Sequence, residues 1–214
     1  MRKLEIQTDE YYHIFNHGID TSHITLDRYD SDRFVQSLNL FNSINLTGSI
    51  YEQSFIKPKL SNDVMLDSKM LVNVISYCFN PNHFHLLLQQ NVDGGIARFM
   101  HRLTMGYSKY FNAQHKRKGS LFRGSFKAVY IQDDDQLLYT MMYVAYNNKI
   151  HKLGHSVSKL VRSNAAYLES FPDDENLKVI FDQFDNKKAF DEYATDVIDI
   201  SQKAKIDQNE VDED

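Results

Sequence analysis

The chain holds a single cysteine, Cys78, among 214 residues, so no disulfide can close within it, and a reducing intracellular compartment is the expected setting. Cys78 lies in an apolar run and reads as a small core residue rather than a nucleophile. No apolar stretch approaches the roughly 20 residues that span a bilayer. The opening "MRKLEIQTDEYYH" lacks the apolar segment of a signal peptide, and a soluble, cytoplasmic protein is expected. Internal repeats and low-complexity tracts are missing as well, and the length suits one folding unit with an appendage.

Negative charge is also missing, over one long interval. Of 29 Asp and Glu, none lies between Asp93 and Asp133, whereas Arg98, Arg102, Lys109, Lys116, Arg117, Lys118, Arg123 and Lys127 all do. A solvated helix face usually mixes both signs, so the interval reads as a phosphate-binding footprint. The net charge of -5 does not oppose this reading. From Asp173 to Asp214 there are 14 acids and 5 Lys/Arg, which leaves the preceding residues net positive.

What is present alternates between two periodicities. "YYHIFNHGI" (11–19) is aromatic and β-branched and ends at Gly18, the pattern of a strand. "DSDRFVQSLNLFNSI" spaces Phe34, Val35, Leu38, Phe41 and Ile44 as a helix does. Residues 45–67 show little periodicity, a long connection with room for a short strand. "LVNVISYCF" and "HFHLLLQQ" flank Asn80-Pro81-Asn82 as an antiparallel hairpin. A helix follows with Ile96, Phe99, Met100, Leu103, Tyr107, Tyr110 and Phe111 on one stripe, then the strand "FKAVYIQ". "DDDQLLYTMMYVAYNNKIHKL" is a helix with acids in its first turn and cations near its end. The order β-α-β-β-α-β-α predicts an α+β, ferredoxin-like antiparallel sheet with helices on one face. Residues 1–160 form that domain, 161–205 a helical C-terminal extension, and 206–214 an acidic disordered tail.

His83 and His85 carry the chemistry. Residues two apart on a strand face the same side, so both imidazoles can meet one ion while Phe84 turns into the opposite layer. The spacing permits a metal without requiring one. Tyr143 and Asn147 stand one helical turn apart, able to add a phenol and an amide oxygen to the same place. A phenol with pKa near 10 is a poor nucleophile at neutral pH, so an ion would act by polarising and orienting a phosphodiester for in-line attack.

The blocks "YYHIFNHG", "YCFNPNHFHLLL" and "FMHRLTMGYSKYFNAQHKRKGSLFRGSFKAVYIQDDDQLLYTMMYVAYNNK" occur in that order. Together they resemble the single-tyrosine HUH transposases, most closely the branch of the REP-associated tyrosine transposases, over about residues 11–152. The resemblance implies cleavage and rejoining of single-stranded DNA carrying a hairpin or repeat, through a 5'-phosphotyrosine with release of a 3'-hydroxyl. It implies Tyr143 as nucleophile and His83, His85 and Asn147 as ligands of Mg2+ or Mn2+, with no nucleotide cofactor. Phosphate contacts fall to the basic segment "HKRKGSLFRGSFK".

The chain departs from the family pattern at three places. Asn147-Asn148 replaces the common Asn-Pro, so the helix can run on; Phe15-Asn16-His17-Gly18 carries histidine where a cation is usual; and Ala165-Ala166-Tyr167 stands where Ser-Ser-Tyr is frequent. Two other readings compete: a non-cutting DNA-binding protein of the same fold, and a zinc hydrolase, for which a nearby carboxylate base is missing. Monomer and homodimer are both compatible with the sequence.

Overall fold

A computed structural model describes residues 5–45, 49–55, 70–153 and 155–211. Five strands, β1 (Tyr11–His17), β2 (Val72–Phe79), β3 (His83–Gln90), β4 (Lys127–Tyr130) and β5 (Arg162–Ser163), form one sheet in the order β4-β1-β3-β2-β5. All pairings are antiparallel, and the first four strands take the ferredoxin-like arrangement expected from the sequence. The β2–β3 turn is closed by the Asn80 N–H donating to the His83 carbonyl at 2.8 Å.

The two crossover helices, α1 (Arg28–Leu40) and α3 (Gly95–Gln114), pack on one face of the sheet. Asp27 caps α1 by accepting from the N–H groups of Tyr29 and Asp30. Tyr12, Ile14, Phe84, Leu86 and Leu88 meet Phe34, Leu38 and Phe41 of the first crossover and Phe99, Leu103, Tyr107 and Phe111 of the second. A short helix, α2 (Ile50–Phe55), stands in the connection where a strand had room, and residues 56–69 lie outside the described residues.

The prediction of helices on one face holds for this crossover pair and is corrected for the rest. Helix α4 (Asp134–Ala145) crosses the opposite face, where Leu137, Met141, Met142 and Ala145 cover Ile75 and Leu87. The reason is visible in β3, which is buried on both sides apart from Gln89. Its second face needs an apolar cover, and α4 supplies one. The chain then makes short helices α5 (Asn147–Ile150), α6 (His155–Ser158), α7 (Ala165–Glu169) and α8 (Lys178–Phe181), and ends in α9 (Lys187–Val211). Phe190, Ala194 and Val197 of α9 complete the second core. Helix α9 runs on to Val211, into the segment 206–214 expected as a tail, of which residues 212–214 lie outside the described residues. Among the described residues, no helix is long and apolar enough to cross a membrane.

Two side-chain amides close much of the outer edge of β2. Asn42 donates to the Val72 carbonyl at 2.9 Å and accepts from its N–H at 3.0 Å. Asn164 accepts from the Tyr77 N–H and donates to the Ile75 carbonyl, each at 3.0 Å.

Helices α1 and α3 approach closely at Gly106, where an added Cβ would lie 2.2 Å from Cζ of the fully buried Phe41. Gly106→Ala should therefore destabilise the protein by on the order of 1–2 kcal/mol, although alanine is the better helix former. Urea unfolding would test this; a raised midpoint would show that the Phe41 ring moves aside.

Candidate active site

The site is built by the β1–β3 register. Phe15 lies opposite His85 and His17 opposite His83, so period-two alternation lines His13, Phe15 and His17 beside His83 and His85 on the face away from the Phe34 core. The His83 ring is 5.2 Å from His85, 5.3 Å from His17 and 5.1 Å from His151, the residue that follows α5. Tyr143 on α4 closes the other side, its ring 5.8 Å from His85 and 6.1 Å from His13. Thus His83, His85, Tyr143 and Asn147, predicted from separate parts of the sequence, converge.

Asn147 reaches the histidines because the helix breaks. Tyr146 leaves helical geometry at φ -102° and ψ 16°, ending α4 and starting α5, which corrects the continuous helix expected over 133–153. Asn147 is fully buried. Its Oδ1 lies 3.1 Å from His83 Nε2, and both atoms receive the Asn80 amide, whose Nδ2 is 2.8 Å from Oδ1 and 2.9 Å from Nε2.

Hydrogen-bond partners assign the tautomers. Asn82 Oδ1 can only accept, so at 2.7 Å the His83 Nδ1–H donates to it and leaves a lone pair on Nε2. His85 Nδ1 is 2.8 Å from His13 Nε2. With Nδ1–H donating to His13, His85 Nε2 is the nitrogen available for an ion. Burial pushes His13 and His83 down to about 4. His85 is driven well below its ordinary value, first by burial and then by the neighbouring imidazoles. Neutral rings are what a metal requires. His83 Nε2 and Asn147 Oδ1 are two acceptors face to face, and Asn147 Nδ2 is buried with no hydrogen-bond partner. This nitrogen and oxygen donor set fits a divalent cation of the Mg2+ or Mn2+ class. Among the described residues, no three His, Cys, Asp or Glu are grouped to hold an ion, so such a site depends on amide oxygen.

Burial raises the Tyr143 phenol above its ordinary value, and the Asn147 amide draws it partly back. Among the other tyrosines of α3 and α4, Tyr139 stacks on Tyr143 with ring centroids 6.3 Å apart, and each has its own partner. Tyr107 is buried in the opposite core, donating to the Ile24 carbonyl at 2.6 Å, and Tyr110 packs beside it. Tyr146 donates to Glu169 at 3.0 Å, and the Tyr139 hydroxyl lies 2.9 Å from that of Ser201. Cys78 is a core thiol that burial pushes up to about 12.

The structure divides the eight cations. Lys127, whose Nζ lies 5.7 Å from the Phe15 ring centroid, and Arg123 are close enough for their charges to add to burial in lowering His17. Lys116, Arg117 and Lys118 follow α3 in the loop that docks beside β1, where the Arg123 N–H donates to the His17 carbonyl at 2.8 Å. The remaining three lie on α3: Arg102 donates to the Ser43 carbonyl at 2.6 Å, Arg98 reaches the Ile44 carbonyl, and Lys109 sits over Tyr51. His13, His17, His151 and Asn80 were not singled out as site residues by the sequence reading. Period-two alternation from Phe15 would have found His13 and His17 once β1 was paired with β3. His151 and Asn80 had no such signal.

Residues 63–147, which include His83, His85, Tyr143 and Asn147, match the family model described as IS200-like transposase. The structure of a REP-associated tyrosine transposase bound to a REP hairpin shares this fold, with a TM-score of 0.50 at 10% identity over 78% of this chain and 83% of that one. No curated protein matches the sequence.

The neutral imidazoles give a pH signature in the metal-free protein. Between pH 6.5 and about 4 the unfolded chain binds protons that folded His13, His83 and His151 refuse, so stability should fall as pH drops through that window. In His13→Leu the slope should shrink by about one proton, about 1.4 kcal/mol per pH unit. Urea midpoints measured at several pH values would show it; equal slopes for wild type and variant would contradict a buried neutral His13.

Proposed function

We propose that this chain, related through residues 63–147 to the IS200-like transposases, cuts and rejoins single-stranded DNA with Tyr143 as nucleophile. The observation that carries the reading is the convergence of Tyr143 with His83, His85 and Asn147 on one face of the sheet. Tyr143 Oη forms a bond to phosphorus as the bond from phosphorus to the 3'-oxygen breaks. The phenol loses a proton and the departing 3'-oxygen gains one, leaving a 5'-phosphotyrosine and a free 3'-hydroxyl. The reverse reaction with another 3'-hydroxyl rejoins the strand, and because the phosphodiester energy is kept in the phosphotyrosine no nucleotide cofactor is needed.

His83, His85 and Asn147 would hold Mg2+ or Mn2+, which when bound polarises the scissile phosphate. The protein's own part is positioning. His13 orients His85, Asn82 fixes the tautomer of His83, and the one-turn spacing sets Asn147 beside Tyr143. The phenol stays protonated at neutral pH, so reactivity depends on alignment and phosphate polarisation rather than a ready phenolate. Arg123 and Lys127 at the rim, and Lys116, Arg117 and Lys118 in the adjoining loop, suit phosphates along the approaching strand. Arg98, Arg102 and Lys109 are better placed to hold Ile44, Ser43 and Tyr51 than to meet that strand.

A labelled single-stranded oligonucleotide with a hairpin, taken from DNA flanking the gene, should give a denaturant-resistant adduct with Mn2+ and none with chelator. Tyr143→Phe and His83→Ala should each abolish it; an equal adduct from Tyr143→Phe would remove that residue from the role. Retention of the DNA without any adduct would favour a non-cutting binding protein. Arg123→Gln and Lys127→Gln should each reduce the slope of log affinity against log salt by about 0.7 to 1, which a filter-binding series would measure.

A further inference from the structure

Asn80 has no role in the proposal above, yet it occupies the centre of the site. Its side chain is fully buried in the β2–β3 turn, and its Nδ2 donates to both His83 Nε2 and Asn147 Oδ1. Those two acceptors are 3.1 Å apart, and the tautomer of His83 puts no proton between them. The Asn80 NH2 group is thus the positive charge density that holds two lone pairs together.

The three atoms make a triangle with edges of 2.8, 2.9 and 3.1 Å. Neighbouring ligands around an octahedral ion with bonds of about 2.1 Å stand about 3.0 Å apart. The triangle therefore has the dimensions of one face of a Mg2+ or Mn2+ coordination shell. One feature is reversed: Asn80 presents nitrogen where a ligand must present oxygen. Its Oδ1 meets only the Cys78 thiol, at 3.5 Å. Half a turn of the amide exchanges oxygen and nitrogen in place, and sulfur, a weak donor and a weak acceptor, tolerates either.

We propose that Asn80 is a further metal ligand of this site: its NH2 group holds His83 and Asn147 at ligand spacing, and its amide turns to offer Oδ1 to an ion. The metal-assisted reading of the site is its premise. The device gives pre-organisation without a carboxylate, since a neutral amide keeps the two facing lone pairs at that spacing.

The test is Mn2+ binding to the full chain without DNA, followed by the EPR signal of free Mn2+, with thermal melts on the same samples. Wild type should bind, His83→Ala should lose binding, and Asn80→Leu should weaken it by at least about tenfold. Asn80→Asp, the same size with an obligatory oxygen, should bind more tightly and gain more in melting temperature from Mn2+ than wild type does. Asn80→Leu binding as well as wild type would overturn the role of Asn80 while leaving the metal reading intact. Should Asn80→Leu fail to fold, Asn80→Asp decides, and no gain in its affinity overturns the proposal. Absence of binding by wild type, or binding by His83→Ala equal to wild type, would overturn both.

Discussion

The pairing of β1 with β3 is the constraint on which everything else depends. Its register sets Phe15 against His85 and His17 against His83. Because the pleat alternates with a period of two, the same register delivers Ile14, Phe84 and Leu86 to the core under α1 and α3. A slip of one residue would drive imidazoles into a layer of phenylalanines and turn those phenylalanines onto the face that carries Tyr143. The hydrophobic core and the chemical site are two readings of one hydrogen-bond ladder, and the apolar side enforces the polar one.

A dense group of imidazoles is tolerable only if the rings stay uncharged, and burial ensures this. His13, His83 and His151 are each pushed down to about 4. The His83 ring is then satisfied by neutral amides from the turn that begins β3, its Nε2 accepting from Asn80 and its Nδ1–H donating to Asn82. Positive charge stands around this cluster, on Lys127 and Arg123 near His17 and on Lys205 of α9, whose Nζ meets His151 Nε2. The result is a centre of neutral imidazoles with a cationic rim, an arrangement whose field raises the local concentration of anions.

Much of this was legible because it rests on local periodicity. The strand alternation through His83-Phe84-His85, the one-turn spacing of Tyr143 and Asn147, and the stripe from Ile96 to Phe111 each follow from a repeat contained in a few residues. The rest was set by partners distant in sequence. His13 became significant only when β1 was seen beside β3, and the side chosen by α4 depended on β3 needing cover on both faces. The break at Tyr146 has no proline or glycine to announce it. A run of cations specifies charge but not direction: α3 turns Arg98 and Arg102 to the carbonyls of Ile44 and Ser43 and sets Lys109 over the Tyr51 ring.

The two amides on the outer edge of β2 govern how the sheet ends. Asn42 grips Val72, and Asn164 bridges Ile75 and Tyr77, each making the paired donation and acceptance that a neighbouring strand would make. Beyond them β5 pairs with Cys78 and Phe79. Between the two amides Asn73 turns its backbone toward β3, so Val74 is what is left to a would-be extra strand, less than the shortest usual strand. A foreign strand seeking to extend the sheet there would first have to displace an asparagine whose bonds it could only equal. Side chains thus act as built-in terminators, guarding against edge-to-edge association without spending a longer strand, a charge or a proline on the task.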